Sequence, residues 1–316
     1  MQFEILMTNL TNPTLLFFVL GAFAAVVRSD LEIPPHTVKF ISLYLLFSIG
    51  FRGGQELSHS GFTQEVVYAL IFGVVLATVI PLVLFYILKR RFSVADAGAI
   101  AATYGSVSAV TFVAANTFLE LQGLHAGGHM VAVMAAMEAP AIIVGVSLIS
   151  WHDRSTKVSF KTVLHHSLTN GSILMVVGSL VIGLVADAKQ AEGIKPFASD
   201  IFKGFLAIFL LEMGLVTVKR IRSFLQYGPE ASLLSVVLPL VNGSLSAWAS
   251  QWVTHDPANR FIFAILAASA SYIAVPATLR LAVPKADPGL YIPMALGITF
   301  PVNLTIGMPL YYWIVR

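Results

Sequence analysis

The chain contains no cysteine, which excludes disulfides, thiolate metal sites and cysteine nucleophiles. It is also short of charge. Asp, Glu, Lys and Arg make up 11% of residues, against about 25% in soluble domains. No stretch is of low complexity, and no polar stretch is long enough to form a soluble domain. What fills the chain is apolar: 57% of its 316 residues are hydrophobic, where soluble domains carry roughly 45–50%.

The apolar residues are gathered into long runs. A membrane span needs about 20 mostly apolar residues. Ten segments qualify, at 13–28, 36–51, 64–89, 93–119, 128–151, 171–187, 196–218, 230–253, 258–282 and 289–315. The expected fold is therefore an all-α polytopic membrane protein of about ten transmembrane helices. The first run does not read as a secretory leader, because no basic residue precedes it and Glu4 occupies the place of a positive n-region.

The runs repeat. Ile33-Pro34-Pro35 pairs with Ile194-Lys195-Pro196, Ser106-Val107-Ser108-Ala109-Val110 with Ser271-Tyr272-Ile273-Ala274-Val275, and Ala139-Pro140-Ala141 with Phe300-Pro301-Val302, at offsets of 161 to 165 residues. Each pair is weak alone; the shared order and spacing carry the argument. A five-span unit followed by its copy must enter the membrane in the opposite orientation. The expectation is thus two inverted five-helix repeats, 1–151 and 171–316, joined by a polar linker at 152–170. Paired halves of this kind mark secondary transporters, with the substrate held between them.

Ten spans bring both termini to one side. Of the 19 Lys and Arg residues, six fall on that side and thirteen on the other. Positive charge marks the cytoplasmic face, so both termini are expected outside, in the inner or plasma membrane. The high pI of about 9.1 then reflects loop ends on one face, not nucleic-acid binding.

The fourth and ninth spans interrupt apolar sequence with small and hydroxylated residues, Thr103-Tyr104-Gly105-Ser106-Val107-Ser108 and Ser269-Ala270-Ser271-Tyr272-Ile273-Ala274-Val275-Pro276. Gly105 lies 12 residues past Ser93 and Ser271 lies 11 past Arg260, or about 18 and 16 Å of helix. Both interruptions therefore fall near the middle of a hydrocarbon core about 30 Å thick. Helices broken there would present two N-termini to one another, whose free amides and positive dipole ends suit an anion. Unwound carbonyls and hydroxyls would suit a cation beside it. The competing reading is packing, since small residues also let membrane helices approach closely.

Glu138 lies in the middle of the fifth span, where a carboxylate faces a cavity or a partner. The matching part of the tenth span carries Thr299 and Asn303, four residues apart and so on one helical face. Together they fit a sodium site made of oxygens. His125 and His129 have metal-like spacing, but two intervening glycines and the absence of an evident acidic third ligand argue against a metal site. Asn116 and Asn242 read as interhelical hydrogen bonds, and Met130, Met134 and Met137 as a packing stripe. An intramembrane enzyme would need a catalytic pair at one depth, and only Glu138 lies well inside.

These segments resemble the sodium-dependent bicarbonate transporter family best known from cyanobacteria. The likeness rests on Tyr104-Gly-Ser-Val-Ser-Ala-Val-Thr111, Glu138-Ala-Pro, Ala267-Ala-Ser-Ala-Ser-Tyr-Ile-Ala274 and Ile298-Thr-Phe-Pro301 with Asn303-Leu-Thr-Ile-Gly307. The resemblance implies sodium-driven bicarbonate uptake, a core and a gate domain, a homotrimer, and control by a PII-like protein on the cytoplasmic face. It implies a substrate site at Gly105, Ser106, Val107, Ser108, Ser271, Tyr272, Ile273 and Ala274. Thr111 and Ser269 are expected to join Glu138, Thr299 and Asn303 around sodium, which serves as coupling ion with no other cofactor. The linker is shorter than in the cyanobacterial members, which bears on the regulator more than on transport. The residues alone leave open a sodium- or proton-coupled carrier of another small or organic anion.

Overall fold

The computed structural model describes residues 13–153, 161, 163–165, 169–224 and 228–316. Most of the expected linker, 154–160, 162 and 166–168, lies outside the described residues. Those described form helices and no strands. The helices are α1 (Pro13–Val26), α2 (Pro35–Ser60), α3 (Gln64–Leu88), α4 (Val94–Gly105), α5 (Ala109–Leu121) and α6 (His129–His152). After them come α7 (Gly171–Val185), α8 (Phe202–Phe224), α9 (Gly228–Ala249), α10 (Pro257–Ala268), α11 (Ala274–Ala282) and the long run α12 (Pro288–Val315).

Six stretches are long and apolar enough to cross a membrane: Gln64–Leu88, Val94–Leu121, His129–His152, Pro196–Lys219, Gly228–Trp252 and Pro288–Val315. The helix α3 shows why. Val67, Ile71, Val75, Val79, Leu82 and Tyr86 are all exposed and recur at helical spacing, so its outer face is as apolar as its inner one. Such a helix is stable in lipid and not in water.

Two helical stretches are broken, the first of them within Val94–Leu121. The Ser93 hydroxyl caps α4 by accepting from the Asp96 amide at 3.1 Å, and that helix ends at Gly105. Three non-helical residues follow, and the Ser108 hydroxyl caps α5 by accepting from the Thr111 amide at 3.2 Å. In the second half, α10 ends at Ala268 and α11 begins at Ala274, with Pro276 in its first turn.

Contacts at the helix ends fix the directions of these two stretches. Asp287 donates its amide to Asp96, Lys285 pairs with Asp153, and Arg91 pairs with Glu230, all at one end. At the other end Gly127 donates to Asn259 at 2.8 Å, and the Arg52 and Glu120 side chains meet at 3.8 Å. The α4–α5 span therefore runs from the first end to the second, and α10–α11 runs back. They cross at their breaks.

Around this crossing, α1 packs along α8 and α2 along α7. Glycines set both distances. A Cβ on Gly21 would lie 1.9 Å from the Leu211 carbonyl oxygen, and one on Gly183 would lie 2.2 Å from that of Phe51. Small residues at such crossings let membrane helices pack backbone to backbone.

Candidate functional site

At the crossing the two breaks are bonded to each other. The Ser271 amide donates to the Thr103 carbonyl at 2.9 Å. The Ser108 amide donates to the Ser269 hydroxyl at 3.0 Å, and that hydroxyl donates to the Leu266 carbonyl at 2.9 Å. Each break thus takes an amide from the other, once directly to a carbonyl and once through a hydroxyl. Backbone that leaves its helix inside a membrane must find such partners.

A small cavity opens beside this link. Its walls include Val107, Ser108, Ala109 and Val110 from the first break and Ser271, Tyr272, Ile273 and Ala274 from the second, with Glu138 from α6 and Ser172 from α7. The free room is about 30 Å³, space for a couple of waters or one small ion. Both α5 and α11 begin at this cavity. The first amides of a helix have no acceptor within it, and its N-terminus carries the positive end of the dipole. Half-buried Glu138 lines the same cavity, and nothing among the described residues donates a hydrogen bond to its carboxylate. Positive backbone ends and one carboxylate thus face the same small volume.

Of the expected substrate residues, the structure places Val107, Ser108, Ser271, Tyr272, Ile273 and Ala274 on the cavity wall. Gly105 and Ser106 do not line it. Gly105 lies against the Pro81 ring, where a Cβ would come within 2.5 Å of Cδ. The Ser106 hydroxyl is fully buried and has no partner among the described residues.

Of the residues expected around sodium, only Glu138 lines the cavity. Ser269 is engaged in the bridge between the breaks, and the Thr111 amide is held by Ser108. Thr299 and Asn303 serve backbone carbonyls. Pro239 lacks an amide, so the Ser235 carbonyl loses its helical donor; the Thr299 hydroxyl donates to it at 2.7 Å. Asn303 Nδ2 donates at 2.8 Å to Ala268, the last residue of α10, whose carbonyl has no helical partner.

Sequence reasoning missed Leu46, Met134, Ser172 and Val176 on the wall. The signal for Met134 was present: it precedes Glu138 by one turn and so shares its face. The other asparagines and histidines are placed elsewhere. Asn116 bonds within its own helix to Phe112 at 2.9 Å. The side-chain amide nitrogen of Asn242 and Nε2 of His129 are buried with no partner among the described residues.

The sequence matches the family model of the Na+-dependent bicarbonate transporter superfamily over residues 13–316. The chain belongs to that superfamily. It is thus a multi-pass membrane transporter and not an enzyme. Among curated proteins none matches the chain.

Proposed function

We propose that the protein carries bicarbonate into the cell together with sodium, across the inner or plasma membrane. One observation carries the reading: two helix N-termini and one carboxylate line a single cavity with room for a small ion. The amides at Ala109 and Ala274 receive the anion, with the Ser108 and Ser271 hydroxyls beside them. Glu138 and neighbouring oxygens receive sodium, which neutralises the carboxylate and brings the two charges in as a pair. No other cofactor is required.

The architecture proposed with it is ten spans in two inverted five-helix halves, 1–151 and 171–316, broken near the midplane. What supports it is the crossing of two oppositely directed broken spans, and close glycine contacts at Gly21 and Gly183, 162 positions apart. The basic excess on the end carrying Lys89, Arg90 and Arg91 supports a topology with both termini outside. The family resemblance adds a homotrimer and a PII-like partner on the cytoplasmic face.

A larger organic anion is the second reading. The small free room of the cavity weighs against it. Purified protein in liposomes with labelled bicarbonate tests both. Accumulation should follow an inward sodium gradient; equal uptake in potassium buffer removes the coupling, and uptake of an organic anion in place of bicarbonate moves the protein to the second reading.

A further inference from the structure

A second cavity lies above the first, toward the end that carries Arg52. It has about 100 Å³ of free room and is lined by Arg52, Glu56, Asn116, Thr117, Glu120 and His125, among others. Lys203, outside the lining, pairs with Glu120 at 3.1 Å. With Lys203 balancing Glu120 from beside the chamber and Arg52 inside it with Glu56, the charges offset, so the chamber repels neither a cation nor an anion.

The same three helices wall both cavities. On α2 the lower cavity is touched by Leu46 and the upper by Ile49, Gly53 and Glu56. On α5 Val110 belongs to the lower, and Val113, Thr117 and Glu120 to the upper. On α6 Glu138 and Met134 belong to the lower, and Val131 to the upper. These steps of three and four residues keep each series on one helical face. The faces therefore continue from one cavity into the other. Where they meet, every side chain is apolar: Leu46, Val110 and Met134 below, and Ile49, Val113 and Val131 above. Adjacent positions on each helix are one turn apart, so the barrier is about 5 Å thick.

The geometry points to the upper chamber as the outer mouth of the transport route and to the layer of Ile49, Val113 and Val131 as its gate. A thin apolar constriction holds back hydrated ions without any charge, because ions must shed water to pass it. Opening requires only that α2 part from α5 and α6 by the width of one side-chain layer. The polar chamber above it supplies Asn116, Thr117 and charged groups of both signs to ions that have not yet lost their water.

This inference rests on the transport reading, and the chain's lack of cysteine makes it directly testable. Asn116→Cys and Thr117→Cys place single thiols in the chamber, and His255→Cys places one at the same end on an exposed site. A membrane-impermeant thiosulfonate is applied to intact cells, and bicarbonate uptake is compared before and after labelling. Labelling should abolish uptake in both chamber variants and leave the His255→Cys variant at its own unlabelled rate. Labelled chamber variants that transport at full rate, or that label only from the cytoplasmic side, overturn the assignment. The gate is read separately, without uptake. Ser172→Cys, in the lower cavity, should label slowly from outside and faster when Val113→Ala is added; equal rates overturn the gate. A parent protein that takes up no bicarbonate would instead count against the transport reading, and the labelling rates would still report the path.

Discussion

The Thr299 hydroxyl donates at 2.7 Å to the carbonyl of Ser235, which Pro239 leaves without its helical amide. The Tyr104 hydroxyl meets the same Thr299 oxygen at 2.7 Å from the last turn of α4. One turn on, Asn303 serves the end of α10, and the Tyr311 hydroxyl bonds Asn303 Oδ1 at 3.2 Å and the Pro239 carbonyl at 2.9 Å. The helix α12 thus braces both half-helices that end at the breaks. Its two wide, π-type stretches, Met294–Thr299 and Asn303–Gly307, adjoin these residues, as such turns often do at functional sites.

Replacing Thr299 by Val removes the donor to Ser235 and the partner of Tyr104 together. Leaving a buried polar group unsatisfied costs about 1–3 kcal/mol, so the melting temperature of the purified protein should fall. The sodium concentration that half-saturates uptake should stay where it was. An unchanged melting temperature with a raised sodium requirement would return Thr299 to the sodium site.

Glu138→Gln should behave in the opposite way. Nothing among the described residues donates to this carboxylate, so the neutral amide keeps the fold and its melting temperature. A lost charge next to sodium should raise the half-saturating concentration by roughly tenfold or more, about 1.4 kcal/mol. Uptake measured across a sodium series decides it, and an unaltered response would make Glu138 structural.

The serines of the breaks separate into two roles. Ser269→Ala takes away the acceptor of the Ser108 amide and the donor to Leu266, and should lower stability by about 1–3 kcal/mol. Ser106→Ala removes a hydroxyl that has no partner among the described residues, and should leave the melting curve in place. If Ser106 serves transport, uptake falls in that variant while the fold holds. Two variants with equal melting curves and equal uptake would show that the bridge carries no weight.

Much of this arrangement was legible in the sequence. Gly105 and Pro276 interrupt helices by their own chemistry, and the hydroxyls around them marked where backbone would need partners. Thr299 and Asn303 were readable as polar groups on one face. Which atoms they serve was not, because that depends on how near α12 lies to α9 and α10. Met134 was taken for packing since a methionine stripe has the same spacing whether it meets a helix or a cavity. Ser172 opens α7, and only the tertiary approach of α7 to the crossing brings it to the wall.

The glycines that set helix distances give a last prediction. Gly183 and Gly178 lie on the same helix and are alike in sequence terms. A Cβ at 183 would come 2.2 Å from the Phe51 carbonyl oxygen, whereas one at 178 meets nothing within 4 Å. Gly183→Ala must therefore push α2 and α7 apart, with an overpacking cost of about 1–3 kcal/mol. Gly178→Ala should be neutral or slightly stabilising, because alanine favours helix over glycine. Gly21→Ala, 162 residues before Gly183 and 1.9 Å from the Leu211 carbonyl oxygen, should lose as much as Gly183→Ala. Melting curves of the three purified variants compare these directly. Matching curves for the 183 and 178 variants would mean that backbone contact does not set the spacing of α2 and α7; a loss at 183 without one at 21 would mean that the two crossings are not equivalent.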